Sequence, residues 1–311
     1  MAPQKTSVIM TDRGDAMDVL DPIEAETPQQ PAIPTGAPAD PAVPRRMERT
    51  LDLAEEALAE ARRHGDLAAP AEAPPEQQPA LRLKVSVLMP VFNEAATLAK
   101  IVARVRDEGR HDELLIVDDC STDGTRDLLI DMDRQFDDVR VVLHGYNRGK
   151  GAALRTALSH ARGDVVLIQD ADLEYDPSDY AKLLDPIHAG EADVVYGSRF
   201  LENAAEQDPS WLHRFGNRML TRASNLTTGL RLTDMETCYK AFRRDALRGM
   251  WLRENRFGFE PEITAKLARR GCRFKEVPIA YDGRGWEEGK KIGPRDAVRA
   301  LWCILRYGWV D

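Results

Sequence analysis

From residue 83 onward, short runs rich in Val, Ile and Leu alternate with stretches whose apolar residues recur every three to four positions. The runs are LKVSVLMP (83–90), ELLIVDD (113–119), VRVVLH (139–144), DVVLIQD (164–170) and ADVVYGSR (192–199). Between them lie EAATLAKIVARVRDEG (94–109), TDGTRDLLIDMDRQF (122–136) and GKGAALRTALSHARG (149–163). The first of these puts Leu98, Ile101, Val102 and Val105 on one helical face, and Thr122 or Asp123 is placed to cap the second. Strands alternating with helices at this spacing predict an α/β fold with a mainly parallel, doubly wound sheet covered on both faces. Pro90 reads as the close of the first strand. After residue 199 the alternation loosens, leaving RFKEVPIAYDG (273–283) as one further strand.

In such sheets ligands sit outside the carboxyl ends of the strands. Glu94 follows the first run, Asp118 and Asp119 end the second, and Asp170 and Asp172 follow the fourth. One aspartate after a strand is an ordinary solvated turn. Three strands delivering carboxylates to one edge point instead to a cation or a polyphosphate. Asp170 and Asp172 are two apart in an extended stretch and so face one side. Mg²⁺ or Mn²⁺ binds through one or two carboxylates completed by substrate phosphates, and Glu174 offers a third oxygen. VDDCSTDGT (117–125) has the chemistry of a turn and a helix cap, and Asp119 within it is a candidate acceptor for a nucleobase or ribose. NRGKGAAL (147–154) lacks the full phosphate-loop pattern and reads as a glycine-permitted helix start.

Charge divides the chain. Residues 80–198 carry 22 acids and 14 bases, whereas residues 199–311 carry 15 acids and 22 bases. That split suggests a metal site in one half and an anion-facing surface in the other. Arg199 ends the fifth strand on the aspartate edge. YDGRGWEEGKKIGPR (281–295) is glycine-rich and basic, with Arg284 and Lys290 suited to a lid over an anionic substrate or simply to a surface loop. RDAVRALWCILRYGWV (295–310) forms a helix that either packs on the core or rests on a membrane surface, Trp and Arg flanking an apolar stripe.

Twelve of the 19 prolines lie before residue 80, in segments low in aromatics, so residues 1–80 read as a mostly disordered extension with a short helix over 45–64. Its protein partner is unknown from sequence. The catalytic domain is expected over 81–311. No apolar run is long enough to span a membrane, no secretory segment opens the chain, and the four cysteines lack metal-ligand spacing. A reduced cytoplasmic protein, at the cytoplasmic face of a membrane if the last helix docks there, is the expectation, with no nucleic-acid partner.

The motifs PVFNE, VDDCSTDGT, NRGKGAAL, DADLEYDP, GSRF, DMETCYKAFRRDAL and GRGWEEGKKI, in this order, resemble the family-two glycosyltransferases, nearest the dolichyl-phosphate mannose synthase type that glycosylates polyprenyl phosphates. The likeness runs from about Val85 to Lys291 and leaves out the first 80 residues. It implies a glycosyltransferase A-type fold, a nucleotide-sugar donor linked to GDP or UDP, and one divalent cation. Pro90, Phe92 and Glu94 would line the nucleotide pocket, and Val117 and Asp119 would meet base and ribose. Asp170, Ala171 and Asp172 would hold donor and metal, with Glu174 near that metal. Arg199 would meet a phosphate, and Arg284 and Lys290 would close on the donor. Two departures stand out: Glu174 replaces the usual Gln, and TCYKAFR replaces an SGFR pattern.

A polyprenyl phosphate arrives ionised and attacks without a base, inverting the anomeric carbon. A hydroxyl acceptor would need a base, for which Asp234 is the candidate and Glu236 the second. A nucleotidyltransferase would carry a basic glycine-rich loop after the first strand, where PVFNEAATL stands instead. A non-catalytic scaffold would gain nothing from clustered carboxylates.

Overall fold

The computed structural model describes residues 9–11, 82–201, 211–283 and 294–309. In chain order the elements are β1 (Ile9–Thr11), β2 (Val85–Val91), α1 (Leu98–Glu108), β3 (Glu113–Asp118), α2 (Thr125–Gln135), β4 (Val139–His144), α3 (Lys150–His160) and β5 (Val165–Ile168). A short 3-10 turn (Pro177–Asp179) leads into α4 (Tyr180–His188) and β6 (Val194–Ser198). Then come α5 (Trp211–Thr228), β7 (Lys240–Arg243), α6 (Arg244–Leu247), α7 (Phe259–Arg269), β8 (Phe274–Pro278) and α8 (Pro294–Trp309).

Eight strands form one sheet among the described residues, in the order β1-β4-β3-β2-β5-β7-β6-β8. Every pairing is parallel except the two made by β7, which runs antiparallel between β5 and β6. The expected mainly parallel, doubly wound sheet is therefore present. The central strands are buried along their whole length, as a sheet covered on both faces requires. Their Val, Ile and Leu side chains join Leu98, Ile101, Val102 and Val105 of α1 in one core.

Three local features depart from the sequence reading. Pro90 lies inside β2, in register with Val117 of β3, and does not close it. Leu88 O accepts from Gln169 N on the β5 side and Val91 O accepts from Asp119 N on the β3 side. By alternation, Pro90 faces the side where β5 has already ended, so its missing N–H costs no ladder bond. The helix α2 starts after Gly124, yet Asp123 still does cap-like work, accepting from the Thr125 N–H at 3.1 Å. Finally, Ile9–Thr11 pairs in parallel with Val142–His144, adding a strand from within the segment read as an extension. The helix expected over 45–64 lies outside the described residues.

The positions of α3 and α8 matter for the site. Gly149 has φ +96°, and a Cβ on it would fall 2.3 Å from Asn255 O; one on Gly151 would fall 2.3 Å from Glu254 O. The α3 amino end thus lies directly on the 254–256 backbone, an approach only glycine allows. On the other side of that segment the buried Glu254 carboxylate accepts from Arg299 Nη2 and the Tyr307 hydroxyl of α8, both at 2.9 Å.

Candidate active site

The loops after β2, β3 and β5 converge at the carboxyl edge of the sheet. Among the described residues, the non-glycine positions with positive φ are Asn93, Cys120 and Leu173, one in each of these loops. Backbone strain of that kind is held only where surrounding contacts over-determine it. Here the contacts run between loops. The Asn93 N–H donates to Ser121 Oγ at 2.9 Å, and Asn93 Oδ1 accepts from the Thr122 N–H at 2.9 Å. The Glu94 N–H donates to Thr125 Oγ1 and the Ala95 N–H to Asp123 Oδ2. Glu94 itself is buried, its Oε2 accepting from the Thr97 hydroxyl at 2.8 Å. Phe92 and Pro90 are half-buried beside it, and Val117 is fully buried in β3.

Asp119 is buried at the end of β3. It accepts from His144 Nδ1 at 2.8 Å, from the Arg148 N–H at 2.8 Å and from the Gly149 N–H at 2.7 Å. Burial pushes its carboxyl up, but these hydrogen bonds outweigh it and hold the group below the usual range. Because Asp119 accepts, His144 Nδ1 carries the hydrogen, and Nε2 faces Thr156 Oγ1 at 3.0 Å. The next residue after Gly149 reaches the other carboxylate: Lys150 Nζ lies 2.9 Å from Asp170 Oδ2. Three consecutive residues, 148–150, therefore tie Asp119 to Asp170. Burial works against the Lys150 charge, but the Asp170 carboxylate raises its pKa well above the ordinary lysine value.

The Asp170–Glu174 turn rests on a tyrosine platform. Gln169 Oε1 accepts from the hydroxyls of Tyr180 and Tyr239, at 2.8 and 2.6 Å, while its Nε2 donates to Asp170 O. Ala171 is buried, and Asp172 Oδ1 accepts from the Glu174 N–H at 3.2 Å. Glu174 Oε2 accepts from the Tyr281 hydroxyl at 2.9 Å, and the Asp282 N–H donates to Glu174 O. Tyr175 and Tyr281 bridge the same two segments. The start of the glycine-rich segment is thereby fixed beside Glu174; Arg284 and Lys290 lie outside the described residues.

Arg199 and Asp234 form a buried pair. Asp234 Oδ2 accepts from Arg199 Nε at 2.7 Å and from its N–H at 3.1 Å; Oδ1 accepts from Arg199 Nη2 and Asn217 Nδ2, both at 2.8 Å. Four donors meet the four lone-pair directions of a carboxylate that is fully buried. Burial raises the Asp234 pKa, and the Arg199 guanidinium more than reverses that. The base role expected of Asp234 does not suit this geometry, for it has no lone pair ready for a proton. Glu236 is different: its Oε1 is buried with no hydrogen-bond partner among the described residues, and burial, then Glu260, push its pKa up to about 8.

His144, Lys150, Glu260 and Tyr281 were not singled out in the sequence. Within NRGKGAAL the Lys has only the signal of a helix start, and the others carry no local signal. Among the described residues, no group of three or more His, Cys, Asp or Glu is arranged to hold a metal ion.

Residues 86–251 match Glycosyl transferase family 2. The chain belongs to that family. It is 37% identical over 201 residues to the glycosyltransferase AglJ of Haloferax volcanii, covering 63% of this chain and 62% of that relative. It is 32% identical over 211 residues to the undecaprenyl-phosphate 4-deoxy-4-formamido-L-arabinose transferase of Pseudomonas aeruginosa, covering 66% and 60%. To the undecaprenyl-phosphate mannosyltransferase of Micrococcus luteus it is 31% identical over 221 residues, 68% and 88%. The matched region thus spans about 60% of the first two relatives. In fold it is similar to the glucosyl-3-phosphoglycerate synthase of Mycobacterium tuberculosis, with TM-score 0.56 at 22% identity, covering 74% of this chain and 82% of that one. A structure of that synthase with Mn²⁺, UDP and phosphoglyceric acid gives TM-score 0.56 at 21% identity, covering 74% and 80%.

Proposed function

We propose that this protein transfers a glycosyl group from a nucleotide sugar to a polyprenyl phosphate, inverting the anomeric carbon, with a divalent cation held by Asp170 and Asp172. The observation that carries the reading is the 148–150 bridge, which ties the Asp119 carboxylate to the Asp170 carboxylate at one sheet edge. In support stand two relatives named as an undecaprenyl-phosphate 4-deoxy-4-formamido-L-arabinose transferase and an undecaprenyl-phosphate mannosyltransferase, and a fold neighbour solved in complex with Mn²⁺ and UDP.

The residues present fit a cation. The donors are hard carboxylate oxygens, and a lysine ammonium already stands in at Asp170. Two carboxylates leave the remaining positions to phosphate oxygens, the usual arrangement for Mg²⁺ or Mn²⁺. Glu174, expected as a third oxygen, holds the Tyr281 hydroxyl and is not grouped with them. When bound, the ion supplies charge neutralisation for the departing diphosphate. Pro90, Phe92, Glu94, Val117 and Asp119 form the wall for base and ribose. Arg284 and Lys290 of the glycine-rich segment supply positive charge for phosphates, a role for which Arg199, paired with Asp234, is not available. A phosphate acceptor is ionised near neutral pH and needs no base, which accords with an Asp234 saturated by Arg199 and Asn217.

The acceptor's lipid brings in α8. Its exposed face is apolar, with Val298, Leu301, Trp302, Leu305 and Trp309 at helical spacing, and the Arg299 and Arg306 guanidinium groups lie 4.3 and 5.0 Å from the Trp302 ring centre. No described helix is long and apolar enough to cross a membrane. This face rests on an anionic bilayer surface. Trp302→Ser with Trp309→Ser should therefore lose co-sedimentation with anionic vesicles; retained binding would remove α8 as the contact.

The direct test offers GDP- and UDP-sugars with Mg²⁺ or Mn²⁺, with and without a polyprenyl phosphate, and follows products by mass. A lipid-linked sugar formed only with metal is expected. No product from any donor would overturn the reading.

A further inference from the structure

Lys150 stands between two carboxylates from different elements. Its Nζ lies 2.9 Å from Asp170 Oδ2, after β5, and 3.6 Å from Glu260 Oε1, in the first turn of α7. A third contact, 3.4 Å, goes to Cys238 Sγ. Glu260 is buried, and its Oε2 has no hydrogen-bond partner among the described residues. A buried carboxylate oxygen without a donor is costly and is rarely left so. The other buried lysine nearby, Lys240, gives its Nζ protons to the carbonyl oxygens of Met235 and Thr237.

We infer that Lys150 is an exchangeable counter-ion for the metal seat: its ammonium neutralises Asp170 when no metal is bound and moves onto Glu260 when a divalent cation takes Asp170. The inference rests on the reading that Asp170 and Asp172 hold that cation. A divalent cation on Asp170 draws on the same negative charge that holds the Lys150 ammonium and repels that ammonium, so its arrival loosens the Lys150 contact. Lys150 is equipped to yield. Its head is a compact charge on a flexible four-carbon stem, whereas its backbone is pinned by Gly149 and Gly151 against the 254–256 segment. Glu260 is already within 3.6 Å, so the move is small, and it would give the unpartnered oxygen a donor. On metal departure the ammonium returns, so Asp170 is never left as a bare, half-buried carboxylate. Lys150 and Glu260 are thus positioning residues for the metal rather than ligands to it.

The test is a Mn²⁺ titration of the full-length protein followed by electron paramagnetic resonance, with and without UDP or GDP, on wild type, Lys150→Met and Glu260→Gln. Lys150→Met removes the competitor and should tighten nucleotide-free Mn²⁺ binding. Glu260→Gln removes the second seat and should weaken it. Each shift should be about tenfold or more, the effect of one charge at 4–6 Å on an ionic equilibrium. Opposite directions are the signature, because loss of folding would weaken both. Shifts in the same direction, or none, in a wild type that binds Mn²⁺ would overturn this inference alone. A wild type that binds no Mn²⁺ under any condition would overturn it together with the metal reading. Should Glu260→Gln not fold, Lys150→Met decides by itself: unchanged or weaker binding rules the exchange out.

Discussion

Asp234→Ala is expected to destabilise the protein by about 3–5 kcal/mol, the range for breaking a buried ion pair from one side. The variant leaves the Arg199 guanidinium, itself only 8% exposed, without its bidentate partner in a dry environment. It also strips Asn217 Nδ2 and the Arg199 N–H of their acceptor. Denaturant unfolding of the variant measures the loss. Replacing both partners, as in Arg199→Met with Asp234→Leu, should recover much of it, since apolar residues of similar volume often substitute for a buried pair. A folded Asp234→Ala with near-normal melting but no transfer would instead restore Asp234 to the chemistry.

Asp172→Asn is expected to lower kcat about 100- to 1,000-fold, the effect of removing one preorganised electrostatic contact to a transition state. Asparagine keeps an oxygen for the Glu174 N–H, so the turn after β5 should hold while the negative charge is lost. The variant should melt like wild type and bind Mn²⁺ poorly. Equal Mn²⁺ affinity with normal turnover would take Asp172 out of the metal site. Asp170→Asn differs in kind, because it also removes the carboxylate charge that holds the Lys150 ammonium. Steady-state kinetics at varied Mn²⁺ separates the two variants.

Much of this protein is written locally. A parallel strand covered on both faces must be apolar along its length, so β2 to β6 announced themselves as continuous runs, and the carboxylates at their ends were legible for the same reason. Helix α1 showed its buried face through spacing alone. The strand β7 did not, since it is four residues long and begins with Lys240, a charged residue that no alternation rule places inside a sheet. Only the gap between β5 and β6 makes that segment a strand. The tripeptide Ile9–Thr11 is equally mute until an open edge at β4 offers it a ladder.

The amino-acid sequence by itself determined the layer architecture and which strand ends carry acids, because both follow from period and chain order. Tertiary structure alone decided what each charge faces. Arg199 looks like a phosphate holder in GSRF, yet its Nε and Nη2 are bonded to Asp234, 35 residues on. Lys150 looks like part of a helix start, yet the turn at Gly149 brings its ammonium to Asp170 and within reach of Glu260. Partners so distant along the chain meet only once the sheet has closed, and no pattern within either segment names the other.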